Sequence, residues 1–287
     1  MTANRDSFYT INCRGRLISL EKPLVMGILN ITPDSFSDGG RYLHLEDALR
    51  HVETMLAEGA DVIDIGAVST RPFIDEVSEQ EELQRLLSVV PSLVHKFPET
   101  LFSVDTYRSN IAEIMVGEGI AIINDVFGGQ FDDKMFETVG RLGVPYILMH
   151  TQGKPKTMQE APHYTDIVQD LILYFSERID AATQAGINDI IIDPGFGFGK
   201  TMSHNYDLLS RLDYLNILEK PMLVGVSRKS MIHKALHTTP QESANGTTVI
   251  NTVALLKGAH ILRVHDVREA KQTVNLINYI KYPYDYK

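Results

Sequence analysis

A single cysteine, Cys13, is all the thiol chemistry this chain possesses. No intramolecular disulfide can form, and no cysteine pair can build a zinc knuckle. Such a chain suits a reducing compartment, and the cytoplasm is the expectation. Long apolar runs are lacking too. No stretch approaches the ~18 residues of a membrane span, and the opening MTANRDSFYTIN carries no apolar signal core. Positive charge is in deficit, with 27 Lys and Arg against 37 Asp and Glu and a formal net charge of −10. That balance argues against a nucleic-acid-coating surface but leaves room for an anionic small substrate, because local cations override a global sign. Asn-x-Thr sequons at Asn30 and Asn245 are therefore chance matches.

Familiar catalytic signatures are missing as well. DPGFGFGKT (193–201) falls short of a phosphate loop, since three residues rather than four separate Gly195 from Gly199. Its G-x-G-x-G spacing also fails the dinucleotide fingerprint. There is no H-E-x-x-H, and no Ser–His–Asp order stands out. The glycines of this segment suit a tight turn and close backbone approach, presenting Phe198 to the ring face of a ligand.

What the chain does have is a repeated alternation. Eight short apolar runs occur in order: LVMGILN (24–30), DVIDIG (61–66), LFSVD (101–105), IAIIND (120–125), VPYILMH (144–150), DIIIDPG (189–195), PMLVGVSRK (221–229) and HILRVHD (260–266). Their near-continuous apolar character is that of buried parallel strands. Helix-length sequence separates them, most clearly at 45–59, 79–97 and 166–186, with Gly59 and Gly186 placed as C-caps. The fold class predicted is α/β, a (β/α)8 barrel. Its size is that of one domain of ~250 residues, and neither linker nor composition shift divides residues 1–287. Residues 7–20 predict a hairpin turning at Arg14–Gly15, so that 1–22 would plug the bottom of a barrel built from 23–282.

In such a barrel the loops after the strands carry the chemistry. The strand ends bear Asn30, Arg71, Asp105, Asn124, His150, Asp193, Lys229, Arg263 and His265. Arg71, Arg228, Lys229, Arg263 and His265 suit an anion, and guanidinium forks match phosphate oxygens. SRKS (227–230) and RVHD (263–266) lie after strands seven and eight, where barrels often hold phosphate. Asn30 could offer an amide oxygen to a hard cation such as Mg²⁺, although a turn-forming role serves it equally well. Asp105, Asn124 and Asp193 end three different strands, and a flat heterocycle rich in N–H groups would satisfy them. Helix capping is the bland alternative for any one of the three. The segments 32–42 and 67–78 are long, polar loops of the kind that close over substrates.

These segments resemble one family. GILNITPDSFSDGG (27–40), STRP (69–72), SVDTYR (103–108), IND (123–125), LMHTQGKP (148–155), DPGFGFGKT (193–201), VSRKS (226–230) and RVHDV (263–267) are similar, in order and across nearly the whole chain, to dihydropteroate synthases. The resemblance implies condensation of dihydropterin pyrophosphate with p-aminobenzoate in folate synthesis, by an SN1-like route, with sulfonamides competing for the p-aminobenzoate site. It assigns the pterin to Asp105, Asn124, Met149, Asp193 and Lys229. Pyrophosphate goes to Arg263 and His265, with Asn30 acting through Mg²⁺ and Arg71 helping to meet the leaving group's charge. Phe36, Thr70, Arg71, Pro72, Phe198, Lys229 and Ser230 would form the p-aminobenzoate pocket. A homodimer is implied too.

The second loop departs from the family pattern, because Val68 and Phe73 replace a glutamate and a glycine. A pterin-dependent methyltransferase would share the Asp/Asn/Asp floor but has no use for Ser-Thr-Arg-Pro or Ser-Arg-Lys. A non-catalytic pterin-binding paralogue would be expected to lose Asn30, Arg71, Arg263 and His265, all of which are present.

Overall fold

The computed structural model describes residues 9–31, 41–68, 77–153 and 162–284. Eight parallel strands form one sheet in the order β8-β7-β6-β5-β4-β3-β10-β9. They are β3 (Leu24–Asn30), β4 (Val62–Gly66), β5 (Leu101–Asp105), β6 (Ile122–Asp125), β7 (Tyr146–Met149), β8 (Ile190–Asp193), β9 (Leu223–Val224) and β10 (Ile261–Val264). A parallel bridge between Ile192 and Met222 joins the two end strands. The Ile192 N–H also donates to the Pro221 carbonyl at 2.9 Å. The eight apolar runs thus become the eight barrel strands.

Side-chain parity sorts the core into two layers, as a period-2 strand requires. Inward residues at the strand starts, Met26, Val62, Leu101, Ile122, Ile147, Ile191, Leu223 and Ile261, share one cluster. Outward residues such as Val25, Ile63, Phe102, Tyr146, Ile190 and Leu262 belong to the larger layer beneath the helices. The inward cluster also holds Ile11, Cys13 and Leu20. Ile11 and Cys13 come from the antiparallel pair β1 (Thr10–Cys13) and β2 (Arg16–Ser19), and Leu20 follows it directly. Arg14 (φ 55°) and Gly15 (φ 84°) make its turn, the left-handed pair that a two-residue hairpin favours. The hairpin therefore seals the bottom of the barrel.

The helices follow local signals with two adjustments. Alpha helix α1 spans Arg41–Ala57, four residues earlier than the apolar periodicity begins. The 79–97 segment is broken, giving α2 (Glu79–Leu87) and α3 (Val90–Lys96). Pro91 sits in the first turn of α3, where its missing N–H and fixed φ are tolerated, but it could not continue α2. Ser78 caps α2, and Asp166 caps α6 (Ile167–Gln184) through two backbone N–H groups. The remaining helices are α4 (Ser109–Gly117), α5 (Met135–Leu142), α7 (Met202–Ser210), α8 (Ser230–His233), α9 (Ala244–Leu256) and α10 (Val267–Lys281). No helix among the described residues is long and apolar enough to cross a membrane.

Candidate active site

Two residues outward from the sealed bottom, the inward positions change character. They are Ile28, Asp64, Ser103, Asn124, Met149, Asp193, Gly225 and Arg263, with Asn30, Gly66 and Asp105 one inward step further out. An apolar plug thus gives way, one inward step along, to a floor layer in which Asp64, Ser103, Asn124, Asp193 and Arg263 are polar.

Arg263 stands at the centre of that floor. Its Nε donates to Asp64 Oδ2 at 2.7 Å and its Nη2 to Asp105 Oδ2 at 3.1 Å. The two carboxylates hold the guanidinium firmly protonated against the opposing effect of burial. Burial raises Asp105 to about 7 even so, with Arg263 pulling the other way. Asn124, which is buried, donates from Nδ2 to Asp64 Oδ2 at 3.0 Å.

Across the mouth, Asp193 accepts from the Gly195 N–H at 2.8 Å and has its carboxyl pushed upward by burial, with Lys229 opposing. The Lys229 ammonium donates to the Phe196 carbonyl at 2.6 Å and lies 4.6 Å from the centre of the Phe198 ring. Burial lowers Lys229 to about 8, with Asp193 working to keep it charged. Met149 packs with Val126 and Phe127, and Tyr107 and Phe198 rest against them. The floor is therefore polar and one wall apolar, a shape suited to a flat, nitrogen-rich ring.

The rim differs in part from the expectation of a cationic wall. Arg228 is committed to a carboxylate of its own, its Nε and Nη2 engaging the two oxygens of Asp266 at 3.1 and 2.5 Å. That pair ties the loop after β9 to the loop after β10. His265 is exposed at the rim, yet withdrawal of its ring from bulk water, together with Arg263 and Arg228, lowers the imidazole to about 4. It is a neutral hydrogen-bonding group, held against Ser227 Oγ at 3.1 Å, rather than a fixed charge. Ser230, at the start of α8, is exposed. Phe36, Thr70, Arg71, Pro72 and Phe73 lie outside the described residues.

His150 ends a strand but does not face the mouth. It is buried, and its Nδ1 lies 2.9 Å from Lys200 Nζ. Burial and Lys200 hold it well below the usual histidine range, so it stays neutral. Lys200, the lysine of the phosphate-loop look-alike, is itself buried and donates to the carbonyls of Gly195 (3.0 Å) and Phe198 (3.1 Å). It staples the turn rather than contacting a ligand. Gly195 (φ 68°) must be glycine, since a Cβ there would lie 1.9 Å from the His150 carbonyl oxygen.

Asp64 escaped the sequence reasoning, and Ser227 entered it only as part of the SRKS segment. Asp64 had a signal, a carboxylate at inward parity within an otherwise apolar strand. So did Glu82, which is wholly buried on α2, bonds Thr106 Oγ1 at 2.7 Å and pairs with Arg108. Arg108 also donates to the Val77 carbonyl at 2.6 Å, pinning the end of the second loop.

A closed (β/α)8 barrel, with a carboxylate–amide floor and cations at its mouth, defines an enzyme for a flat, hydrogen-bond-donating heterocycle. Residues 26–265 match the family described as pterin binding enzyme. The Escherichia coli K12 dihydropteroate synthase is 45% identical over 266 residues, covering 92% of this chain and 94% of that one. The Yersinia pestis dihydropteroate synthase, solved as a sulfonamide drug complex, superposes with a TM-score of 0.89 at 43% identity, covering 95% and 99% of the two chains. The Xanthomonas albilineans dihydropteroate synthase, solved with 4-aminobenzoic acid, gives a TM-score of 0.88 at 38% identity over 95% and 98%. The chain belongs to the dihydropteroate synthase family of pterin binding enzymes.

Proposed function

We propose that this chain joins 6-hydroxymethyl-7,8-dihydropterin pyrophosphate to p-aminobenzoate, yielding 7,8-dihydropteroate and pyrophosphate. The observation that carries the reading is the convergence of carboxylates, an amide and cations in the mouth. Asp64, Asn124, Asp193 and Arg263 share the inner polar layer, Asp105 stands one step further out, and Lys229 borders Phe198.

The order suits the chemistry. An aromatic amine is a weak nucleophile, so breaking the bond between the exocyclic carbon and pyrophosphate oxygen leads, in an SN1-like sense. The positive charge left on the dihydropterin is spread over its ring, above Asp105 and Asp193. The departing anion meets Arg263, His265 and Arg71, which is electrostatic stabilisation of a developing charge. The p-aminobenzoate nitrogen then bonds that carbon and its proton passes to solvent. Met149 holds the pterin face, while Phe36, Thr70, Arg71, Pro72, Phe198, Lys229 and Ser230 bound the p-aminobenzoate.

Asn30, at the end of β3, would offer Mg²⁺ the amide oxygen of a hard-cation ligand. A Cβ placed on Gly66 would lie 3.4 Å from Asn30 Oδ1 and 3.9 Å from Asp105 Oδ2, so both oxygens border the same glycine, with Asp105 Oδ2 also accepting from Arg263. Among the described residues no three His, Cys, Asp or Glu side chains converge. A cation here would take further ligands from substrate phosphate and water, the usual habit of Mg²⁺. Its chemistry would be to neutralise charge on the leaving group.

We also infer a cytoplasmic homodimer. Val249 and Leu256 on α9, Leu276 and Ile280 on α10, and Tyr214 and Ile217 on the adjoining 3-10 turn (Leu212–Leu218) expose apolar side chains. The Lys257–Asp213 pair at 2.8 Å sets that turn beside α9. Sedimentation as a monomer at assay concentrations would overturn the dimer.

The test of function is pyrophosphate release on mixing both substrates with Mg²⁺. Release that requires p-aminobenzoate is expected. Pterin binding without release would refute the enzymatic reading.

A further inference from the structure

We propose that Asp64 is a positioning residue of this reaction, setting the hydrogen-bond polarity of Asn124 and the aim of Arg263 beneath the pterin. The inference rests on the dihydropteroate synthase reading above. Asp64 lies midway along β4, on the inward face, and is wholly buried. One oxygen, Oδ2, accepts from both Asn124 Nδ2 (3.0 Å) and Arg263 Nε (2.7 Å).

This sharing has a directional consequence. A carboxylate only accepts, so the Asn124 amide cannot invert without setting its own oxygen against Asp64. Nδ2 is therefore committed downward into the floor. The group Asn124 can offer a ligand is its Oδ1 acceptor, with the second N–H at the side. At this point the floor selects a heterocycle presenting an N–H and disfavours one presenting a bare ring nitrogen. The same carboxylate holds the Nε of Arg263 while Asp105 holds Nη2, which leaves the Nη1 edge for an acceptor on the substrate. Asp64 thus links the group that recognises the ring to the cation that meets the leaving group.

The fold itself gains little from a carboxylate here. Asp64 Oδ1 is buried and has no hydrogen-bond partner among the described residues, and neither does Oγ of Ser103, its neighbour across the β4–β5 ladder. Buried polar atoms left unpaired are unfavourable, and aliphatic side chains in place of the whole Asp64–Arg263 pair would fill the barrel interior without that cost. A residue placed at the expense of packing, and bonded to two groups of the site, is a mark of function rather than of stability.

The test is the isosteric variant Asp64→Asn, with pyrophosphate release and binding of 6-hydroxymethylpterin measured beside the parent. Release by the parent, in the same assay, establishes the underlying reaction independently. For Asp64→Asn, tenfold or greater weakening of hydroxymethylpterin binding is expected. A matching rise in KM for the pterin substrate should accompany it, while KM for p-aminobenzoate moves less than about twofold. A folded variant with pterin affinity and both KM values within twofold of the parent overturns the proposal. Equal losses for both substrates overturn it too, since that is the pattern of a merely structural residue. Should the variant not fold, the parent's Asn124 side-chain amide resonances decide the matter by NMR. A hydrogen-bonded Nδ2 proton that persists when hydroxymethylpterin binds supports the fixed polarity, and its loss or exchange on binding refutes it.

Discussion

Lys229→Met removes the ammonium from the mouth while keeping the length and apolar stem of the side chain. Three interactions disappear together: the 2.6 Å donation to the Phe196 carbonyl, the contact 4.6 Å from the centre of the Phe198 ring, and the compensation of Asp193. A hydrogen bond from a charged group contributes roughly 1.5–3 kcal/mol, and Asp193 acts on the ammonium through space rather than as a contact ion pair. These overlap rather than add, and together amount to about 3 kcal/mol. That corresponds to a loss of roughly 10²-fold in kcat/KM. Without Lys229, burial would push the Asp193 carboxyl further upward, and the pterin floor would lose charge as well. The assay is pyrophosphate release with each substrate varied at saturation of the other, alongside thermal unfolding. A Lys229→Met enzyme within threefold of the parent would refute the assignment. So would a loss confined to thermal stability.

Four further outcomes are expected. The pH profile of kcat/KM should be a narrow bell: burial raises Asp105 to about 7, so activity grows as that carboxyl ionises, and burial lowers Lys229 to about 8, so activity falls above it as the ammonium is lost. A flat profile from pH 6 to 9 would contradict those roles. Gly195→Ala should disrupt the turn after β8 and lower kcat/KM at least tenfold, because its Cβ would meet the His150 carbonyl oxygen at 1.9 Å; unchanged kinetics would show that the backbone shifts freely. Lys200→Met should destabilise the protein by about 1–3 kcal/mol for the carbonyls it strands. The deficit should be larger at pH 9 than at pH 6 by chemical denaturation, since a lysine lowered to about 7 by burial binds fewer protons folded than unfolded above that pH, and the parent gains stability as pH rises. Arg71→Ala should cut turnover far more than pterin affinity, and equal losses would make Arg71 a ground-state anchor.

The barrel was legible because continuous apolar runs at regular spacing leave few alternatives, and the positions of its strand ends followed directly. The hairpin was legible from Arg14–Gly15 for the same local reason. What strand-end inspection could not separate was a group facing the mouth from one facing the helices. His150 and Asp193 both follow apolar runs, yet His150 turns into a buried contact with Lys200. Asp193 lines the floor, because parity sets it inward beside Met149. Arg228 and Arg263 looked equivalent as basic residues, and both prove to be held by carboxylates through Nε and Nη2, Arg228 by Asp266 at the rim and Arg263 by Asp64 and Asp105 inside the barrel. The break between α2 and α3 could have been found, since Pro91 cannot extend a helix begun at Glu79. Asp64 could have been found too, had parity been followed inside the strand rather than only at its end.

The charge count of the described mouth bears on the segments beyond it. Three carboxylates, Asp64, Asp105 and Asp193, face inward toward two cations, Arg263 and Lys229. Arg263 already serves two of those carboxylates, Arg228 is spent on Asp266, and His265 is neutral. Such a floor favours a positive pterin but is short of positive charge for a pyrophosphate leaving group. If the anion departs from this site, the proposed sources of the remaining compensation are Arg71 of the second loop, a cation that Asn30 would hold, and a proton that His265 would take up beside the anion. Each source is engaged by the phosphate end of the substrate rather than by the ring. The requirement separates two steps that a static floor would merge. The ring can be held by the barrel alone, while bond breaking requires charge that the barrel interior does not contain. That is the physical reason to expect the second loop, where Val68 and Phe73 depart from the family, to govern turnover more than pterin affinity.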